Sequence, residues 1–286
     1  MARISGDEIK INQTVIERCS DLPKSNIWIS EASFGLGHIN PYLCLLPAGA
    51  RVLEVGSGSG ILLSHIKLNY PELEVQGIEP IGSGFDSLNA YHESLQDIGA
   101  LIERCGYEDF KSSEKFDLIF LINVFEHLPD WIHFLSFVKS KLIKNGTCFI
   151  LCPNYGFPYE SHFHIPLILN KNITHRVFKN YIEKFEAKQD CSGLWDSLNF
   201  VRWSQVKKAC IKIGLDCEFD GSVIRQMIDR LDHDKEFHRR HKVMGKIAKV
   251  LGKSGLLSLL TQPFFNTVNP YMKLEVSLDM QRDKIL

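Results

Sequence analysis

Residues 51–60, Arg-Val-Leu-Glu-Val-Gly-Ser-Gly-Ser-Gly, put the tightest limit on what this chain can fold into. A short apolar run, Val52 to Val55, carries one acid at Glu54 and gives way to Gly56, Ser57, Gly58, Ser59 and Gly60. Apolar residues at helical spacing follow at once, with Ile61, Leu62, Leu63 and Ile66. Strand, tight turn and helix start make a βα unit whose turn is stripped of side chains where a ligand would approach. The G-x-G-x-G spacing differs from the G-x-G-x-x-G of dinucleotide binders, whose third glycine comes one residue later. Glu54, at the end of the strand, aims a carboxylate at a cationic or hydrogen-donating group.

The alternation of strand and helix continues to Pro153. Residues 74–79 read as a second strand ending at Pro80, 85–98 as a helix with Leu88, Leu95 and Ile98 as core positions, and 100–103 as a short third strand. Residues 116–122 are almost unbroken apolar sequence, as in a central strand buried on both faces. A helix is expected over 131–143, with apolar Ile132, Phe134, Leu135, Val138, Leu142 and Ile143, then a fifth strand over 146–151. After Pro153 the alternation stops, and 154–200 reads as an insertion rich in His, Asn, Phe and Tyr. It resumes with a helix over 203–213, capped by Ser204 and ended by Gly214, a strand over 215–219, helical sequence over 222–264 and a last strand over 272–278. This pattern predicts an α/β fold with a doubly wound, mostly parallel sheet.

Composition narrows the function classes. A chain of 286 residues that is 44% hydrophobic and 23% charged has ample material for a core. A net charge of −1 gives no global pull toward nucleic acid, and no DNA partner is expected. Eight cysteines occur without a C-x-x-C pair, which suits reduced, mostly buried thiols. The first 13 residues carry charges and no apolar core, and no apolar stretch is long enough to span a bilayer, so a soluble cytoplasmic protein is expected. The stretch 235–253 interleaves Lys235, Arg239, Arg240, Lys242, Lys246, Lys249 and Lys253 with apolar residues. Continued to residue 260, that pattern suits a peripheral membrane contact, although such a charge run is more often a solvated helix face.

Three further segments join the glycine turn. Glu79 ends the second strand, 19 residues after Gly60, where an acid can accept hydrogen bonds from both ribose hydroxyls of an adenosine. Tyr107-Glu108-Asp109 follows the third strand, and Asn123-Val124-Phe125-Glu126-His127-Leu128-Pro129-Asp130 follows the fourth. In this order the four segments resemble the class I S-adenosylmethionine-dependent methyltransferases, whose first motif is E/D-x-G-x-G-x-G at the end of the first strand. The resemblance implies a Rossmann-like, seven-stranded sheet with its last strand antiparallel. It implies S-adenosylmethionine as cofactor and S-adenosylhomocysteine as product. Glu54, Gly56, Ser57, Gly58 and Gly60 would hold the cofactor, with Glu79 and Pro80 at its ribose, Asp109 or Glu108 at its adenine, and Asn123, Val124 and His127 at its methionine end.

The activity so implied is methyl transfer to a small or lipid-linked acceptor, with oxygen as the expected atom. The alternatives are an RNA or protein methyltransferase that uses 235–253, or a non-catalytic partner subunit. Since a sulfonium is already a good leaving group, the protein mainly aligns the acceptor, and a hydroxyl also gains from a general base. His127, His162 and Tyr155 are the candidate catalytic residues, and Glu160 and His164 lie in the same Pro153–Pro166 stretch. Some related families show E-x-x-E-H after the fourth strand, with the acids and His on a divalent ion. Here Asn123 stands in place of the first acid, so no metal is expected, although His162 and His164 would be available as ligands. The expected layout is an N-terminal cover over 1–50, which includes His38, and a methyltransferase domain over 51–286. The insertions 154–200 and 222–264 would form an acceptor-binding lid.

Overall fold

The computed structural model describes residues 10–80, 88–241 and 269–278. Outside the described residues lie 81–87, which include the start of the expected 85–98 helix, and 242–268, which carry most of the basic stretch and the rest of the 222–264 insertion. The chain divides into two compact units, residues 1–106 and 107–286.

In the first unit the elements run α1 (Gln13–Cys19), α2 (Ser25–Leu43), β1 (Arg51–Val55), α3 (Ile61–Asn69), β2 (Glu74–Ile78), α4 (Leu88–Leu95) and β3 (Leu101–Glu103). Its strands lie parallel in the order β3-β2-β1, with Val52 opposite Val75, Val55 opposite Ile78 and Gly77 opposite Ile102. Val52, Leu53 and Val55 are buried, as are Ile61, Leu62, Leu63 and Ile66 of α3. The Phe34–His38 stretch lies inside α2, and His38 is buried there. Glycine is a poor helix former, but buried Leu36, Ile39 and Leu43 on the same helix offset that cost. Asn12 caps α1 by accepting the Thr14 N–H at 3.0 Å, while its own N–H donates to Nδ1 of His65 at 2.9 Å. That bond requires an unprotonated Nδ1, and burial lowers the His65 pKa to about 4.

The second unit contains β4 (Phe116–Ile122), α5 (Trp131–Lys141), β5 (Leu142–Pro153), β6 (Tyr159–Glu160), β7 (Ile165–Pro166), α6 (Lys171–Gln189), α7 (Leu194–Ser197), α8 (Trp203–Ile213), β8 (Leu215–Phe219), α9 (Val223–His233), α10 (Lys235–Arg240) and β9 (Tyr271–Leu278). Its order is β4-β5-β9-β8, with β4 and β5 parallel and β9 antiparallel to both β5 and β8. With three strands in one unit and four in the other, the fold is the Rossmann-like α/β class, seven-stranded with its last strand antiparallel. Phe120, Phe149, Leu118 and Val276 are fully or almost fully buried in this sheet.

Several local expectations change. The helix expected through Ile143 stops at Lys141, because Leu142 turns extended (ψ 142°) and pairs with Phe116. Ile132, one of the expected apolar positions of that helix, is 51% exposed. Ile98 is only half-buried, in a 3-10 turn after α4. Ser204 does not cap α8; the Arg202 N–H donates to Oε1 of Gln205 at 2.9 Å instead. The insertion 154–200 holds the 19-residue helix α6, started by Asn170 Oδ1 accepting the Ile173 N–H at 3.0 Å. It also has a core of its own, in which Phe163, Ile165, Ile182, Trp195 and Leu198 are buried with Phe178, Phe185, Leu194 and Phe200 against them.

All eight cysteines are free thiols, and five of them are buried. Within the described part of the basic stretch, Arg239 and Arg240 both pair with Glu236, at 2.7 and 3.6 Å. No helix among the described residues is long and apolar enough to cross a membrane.

Candidate functional site

The glycine turn of the first unit links β1 to α3. Gly56, Gly58 and Gly60 all have positive φ (76°, 51° and 74°), the region in which a side chain is strained. The Gly56 and Ser57 N–H groups donate to the Ile78 carbonyl at 2.8 and 3.1 Å, and the Gly60 N–H donates to the Ser57 carbonyl at 2.8 Å. A Cβ on Gly60 would sit 2.8 Å from Cδ1 of Ile102. On Gly58 the nearest atom would be a ring carbon of Trp28 at 3.9 Å, so this face of the turn is open.

Four acceptors or rings address that turn. Glu79 Oε2 accepts the Gly58 N–H at 2.8 Å, and Nε2 of His92 lies 2.8 Å from the Gly58 carbonyl. Burial raises the Glu79 pKa, and the Gly58 N–H and His92 oppose that rise. Glu54 is buried, and its Oε2 has no hydrogen-bond partner. Burial, followed by the nearby Glu79 carboxylate, raises its pKa well above the ordinary range. The indole N–H of Trp28 is buried without a partner as well. An open glycine turn with an orphaned buried carboxylate oxygen beside it fits the polar end of a nucleoside-type cofactor. Pro80 is exposed. His92 and Trp28 were not singled out from the sequence, because each reaches the turn from another helix.

The second unit gathers a different constellation. Asn123, at the end of β4, has φ +55°; its N–H donates to the Leu151 carbonyl at 2.8 Å, and its Oδ1 accepts from the Tyr271 hydroxyl at 2.7 Å. Val124 precedes a 3-10 turn over Phe125–His127. Asn199 staples this turn: its N–H donates to the Glu126 carbonyl at 2.8 Å, and its Nδ2 donates to those of Phe125 and Leu128 at 2.7 and 3.1 Å. Glu126 is thereby held with 0% exposure and no hydrogen bond to either carboxyl oxygen. Burial raises its pKa to about 7, with His162 opposing the shift and Glu160 adding to it.

Around Glu126 stand two histidines, each held by Nδ1. His162 Nδ1 is 2.7 Å from Glu160 Oε1, and its Nε2 is 3.8 Å from Glu126 Oε1. Burial pushes Glu160 upward, but the bonds from His162 and the Phe163 N–H (2.6 Å) outweigh it and hold its pKa below the usual value. An ionised Glu160 can only accept, so His162 carries a proton on Nδ1, which fixes the ring with Nε2 toward Glu126. His127 Nδ1 lies 2.9 Å from the Ser197 hydroxyl, and that hydroxyl donates to the Leu194 carbonyl at 2.8 Å. Ser197 has spent its one proton there, so His127 donates to it from Nδ1 and keeps a lone pair on Nε2. Burial lowers the His127 pKa to about 3, which keeps the ring neutral. The two rings meet edge to face with centroids 5.4 Å apart. One ligand-type atom from each of Glu126, His127 and His162 lies within 4.8 Å of the others.

The remaining candidates fall elsewhere. The Tyr155 hydroxyl donates to Glu160 at 3.3 Å, and burial, then Glu160 and Glu126, raise its pKa well above the ordinary value, so it acts as a donor and not as a base. His164 leaves the cluster: its Nδ1 faces the Tyr159 hydroxyl at 3.3 Å and its ring packs on His241. Glu108 and Asp109 are exposed between buried Tyr107 and Phe110. Ser197, Asn199 and Tyr271 gave no signal in the sequence, since each is a common residue type made specific only by what the fold sets beside it.

Residues 35–182 match a family model described as a methyltransferase domain. Two uncharacterized proteins from strains of Mycobacterium tuberculosis are each 36% identical over 220 residues, which is 74% of this chain and 73% of the relative. Among solved structures, Haemonchus contortus phosphoethanolamine N-methyltransferase 2 in complex with S-adenosyl-L-methionine is similar in fold, with a TM-score of 0.50 and 15% identity. That match covers 84% of this chain and 51% of the other. The cyclopropane synthase MmaA2 from Mycobacterium tuberculosis matches with a TM-score of 0.48 and 14% identity, over 93% of both chains.

Proposed function

From its place in the methyltransferase-domain family, to which the chain belongs as an S-adenosylmethionine-dependent methyltransferase, we propose that it methylates an oxygen of a small or lipid-linked acceptor. S-adenosylmethionine, when bound, supplies a methyl group on a sulfonium leaving group. In the first unit, Glu54, the Gly56–Gly60 turn and Glu79 hold it, with His92 fixing the Gly58 carbonyl. The cluster of the second unit acts on the acceptor. A hydroxyl is a poor nucleophile until it sheds its proton, and a neutral buried base speeds that loss.

The observation that carries this reading is the convergence of Glu126, His127 and His162, with His127 held by Ser197 and His162 held by Glu160. Glu126, whose pKa burial raises to about 7, is poised to take a proton from an acceptor hydroxyl near neutral pH. Glu160, Ser197 and Asn199 are its positioning residues. Residues 154–200 serve as the acceptor lid, since they bring Glu160, His162, Ser197 and Asn199 to the Glu126 turn. The test is transfer of labelled methyl from S-adenosylmethionine into a fractionated cell extract, followed by hydrolysis of the product. Label in an ether or ester of a small or lipid molecule supports the reading, and His162→Gln should lower kcat with cofactor affinity unchanged. Label recovered on nitrogen, or in RNA or protein, overturns it.

A further inference from the structure

Helix α6 of the insertion carries two stripes of side chains. Phe178, Ile182 and Phe185 pack into the small core of the insertion, at the spacing of one helix face. Ile173, Val177, Tyr181, Lys184 and Lys188 repeat at the same spacing on a second face. Val177 is 57% exposed and Tyr181 46%, so this face holds apolar surface in water. Leu169, just ahead of the helix, is 80% exposed and has φ +59°. The Asn170 N–H donates to the Ile168 carbonyl at 2.6 Å, which closes a tight three-residue turn around a leucine strained by its positive φ. The Thr174 hydroxyl fastens this turn by accepting the Ile168 N–H at 2.8 Å and donating to the Asn170 carbonyl at 2.9 Å. A strained turn that holds a leucine in water costs stability twice, so the fold itself does not account for it. The charges narrow what covers the face. Glu183 lies 3.8 Å from Lys179, and Glu186 accepts the Gly193 and Trp195 N–H groups, so both acids of the helix are engaged. The exposed Lys184 and Lys188 make no ion pair among the described residues.

We propose that Leu169 and the Val177–Lys188 face of α6 dock on the surface of an anionic phospholipid bilayer, with the helix lying along it. Leu169, Val177 and Tyr181 enter the headgroup boundary, and Lys184 and Lys188 meet lipid phosphates, as in an interfacial helix. Tyr181 suits that position, because its hydroxyl already donates to the Phe163 carbonyl at 3.1 Å and leaves no unpaired polar group to desolvate. A second copy of the chain fits this face less well. A two-fold contact sets the same face on itself, and Ile173, Val177, Asn180, Tyr181, Lys184 and Lys188 include no acid to meet the lysines. Docking through α6 brings the insertion that carries His162 to the surface in which a lipid-linked acceptor lies.

This proposal deepens the lipid-linked part of the proposed function and rests on it for its purpose, while its test reads binding without methyl transfer. The protein is sedimented with vesicles of phosphatidylglycerol and phosphatidylcholine, and with phosphatidylcholine alone, at low and high salt. Binding to the mixed vesicles that weakens as salt rises is expected, with phosphatidylcholine alone bound about tenfold less well. Val177→Asp and the double variant Lys184→Glu, Lys188→Glu should each weaken binding about tenfold or more. Leu169→Gly separates docking from folding. Glycine suits the positive φ, so this variant should match or exceed the wild type in urea midpoint and still bind vesicles more weakly. Titration with S-adenosylmethionine verifies that each variant is folded. Absence of vesicle binding by a wild-type protein that binds S-adenosylmethionine overturns the docking face. So does vesicle affinity unchanged in the folded Val177→Asp and double-lysine variants. A dimer in analytical ultracentrifugation that Val177→Asp dissociates assigns the face to a second copy and overturns it as well. Vesicle binding with methyl label only on nitrogen leaves the docking face standing and removes the acceptor-oxygen reading. Label on an oxygen of a water-soluble molecule, with no vesicle binding, does the reverse.

Discussion

Replacing Asn199 tests whether the Glu126 turn is built or merely present. Its side chain makes three hydrogen bonds: Nδ2 to the Phe125 and Leu128 carbonyls, at 2.7 and 3.1 Å, and Oδ1 from the Val201 N–H at 3.0 Å. At about 1 kcal/mol net for each, Asn199→Ala removes about 3 kcal/mol, less what water restores at a half-buried site, so about 2 kcal/mol is expected. The loss falls on the turn that carries both Glu126 and His127. Asn199→Asp is the sharper variant. It keeps the acceptor for Val201 but sets a carboxylate against two carbonyls, so it should destabilise at least as much as Ala. Urea denaturation gives the stability change, and kcat for methyl transfer reads the turn directly, because a displaced Glu126 or His127 lowers it in a variant that still binds S-adenosylmethionine. If both variants match the wild type in denaturation midpoint and kcat, the stapling argument is wrong.

Two other outcomes follow from the first unit. Glu79→Ala removes the acceptor that meets the Gly58 N–H and should weaken S-adenosylmethionine binding by about 1–3 kcal/mol, measured by calorimetry; unchanged affinity would remove Glu79 from the ribose site. His65, whose pKa falls from 6.5 to about 4, binds a proton more readily in the unfolded chain, so its contribution is complete above pH 6.5 and is lost as pH falls toward 4. Allowing for solvent screening the loss is about 2 kcal/mol, and in His65→Gln, whose amide can still accept from Asn12, the fall in stability between pH 7 and 5 should be smaller; an identical fall would refute the assignment.

The elements that sequence reasoning located share one property: local chemistry dictates them. The Val52–Gly60 strand and turn, the Gly214 stop after α8 and the strand Leu215–Phe219 each follow from residues next to one another in the chain. Leu142 and Ile143 were misplaced because two apolar residues satisfy both helical and extended periods, and only pairing with β4 decides between them. The same limit applies at the site. His127 and His162 could be picked out as chemistry-bearing residues, and Glu79 by its distance from the glycines. The role of Glu126 could not be read, since the backbone turn that carries it is fixed by Asn199 from a distant segment. The orientations of the two histidines depend on Glu160, Ser197 and the Leu194 carbonyl, a chain of donors and acceptors with no signature in residue order.

The insertion that carries His162 and Asn199 also carries Phe163, Ile182 and Trp195, a small core of its own. Side chains that pack among themselves can be exchanged together while the strand ladder stays intact. On the proposed assignment, the glycine turn that meets the methyl donor and the module that meets the acceptor are separable inheritances. Within such a chain, the donor stays constant while residues 154–200 are free to diversify toward new acceptors.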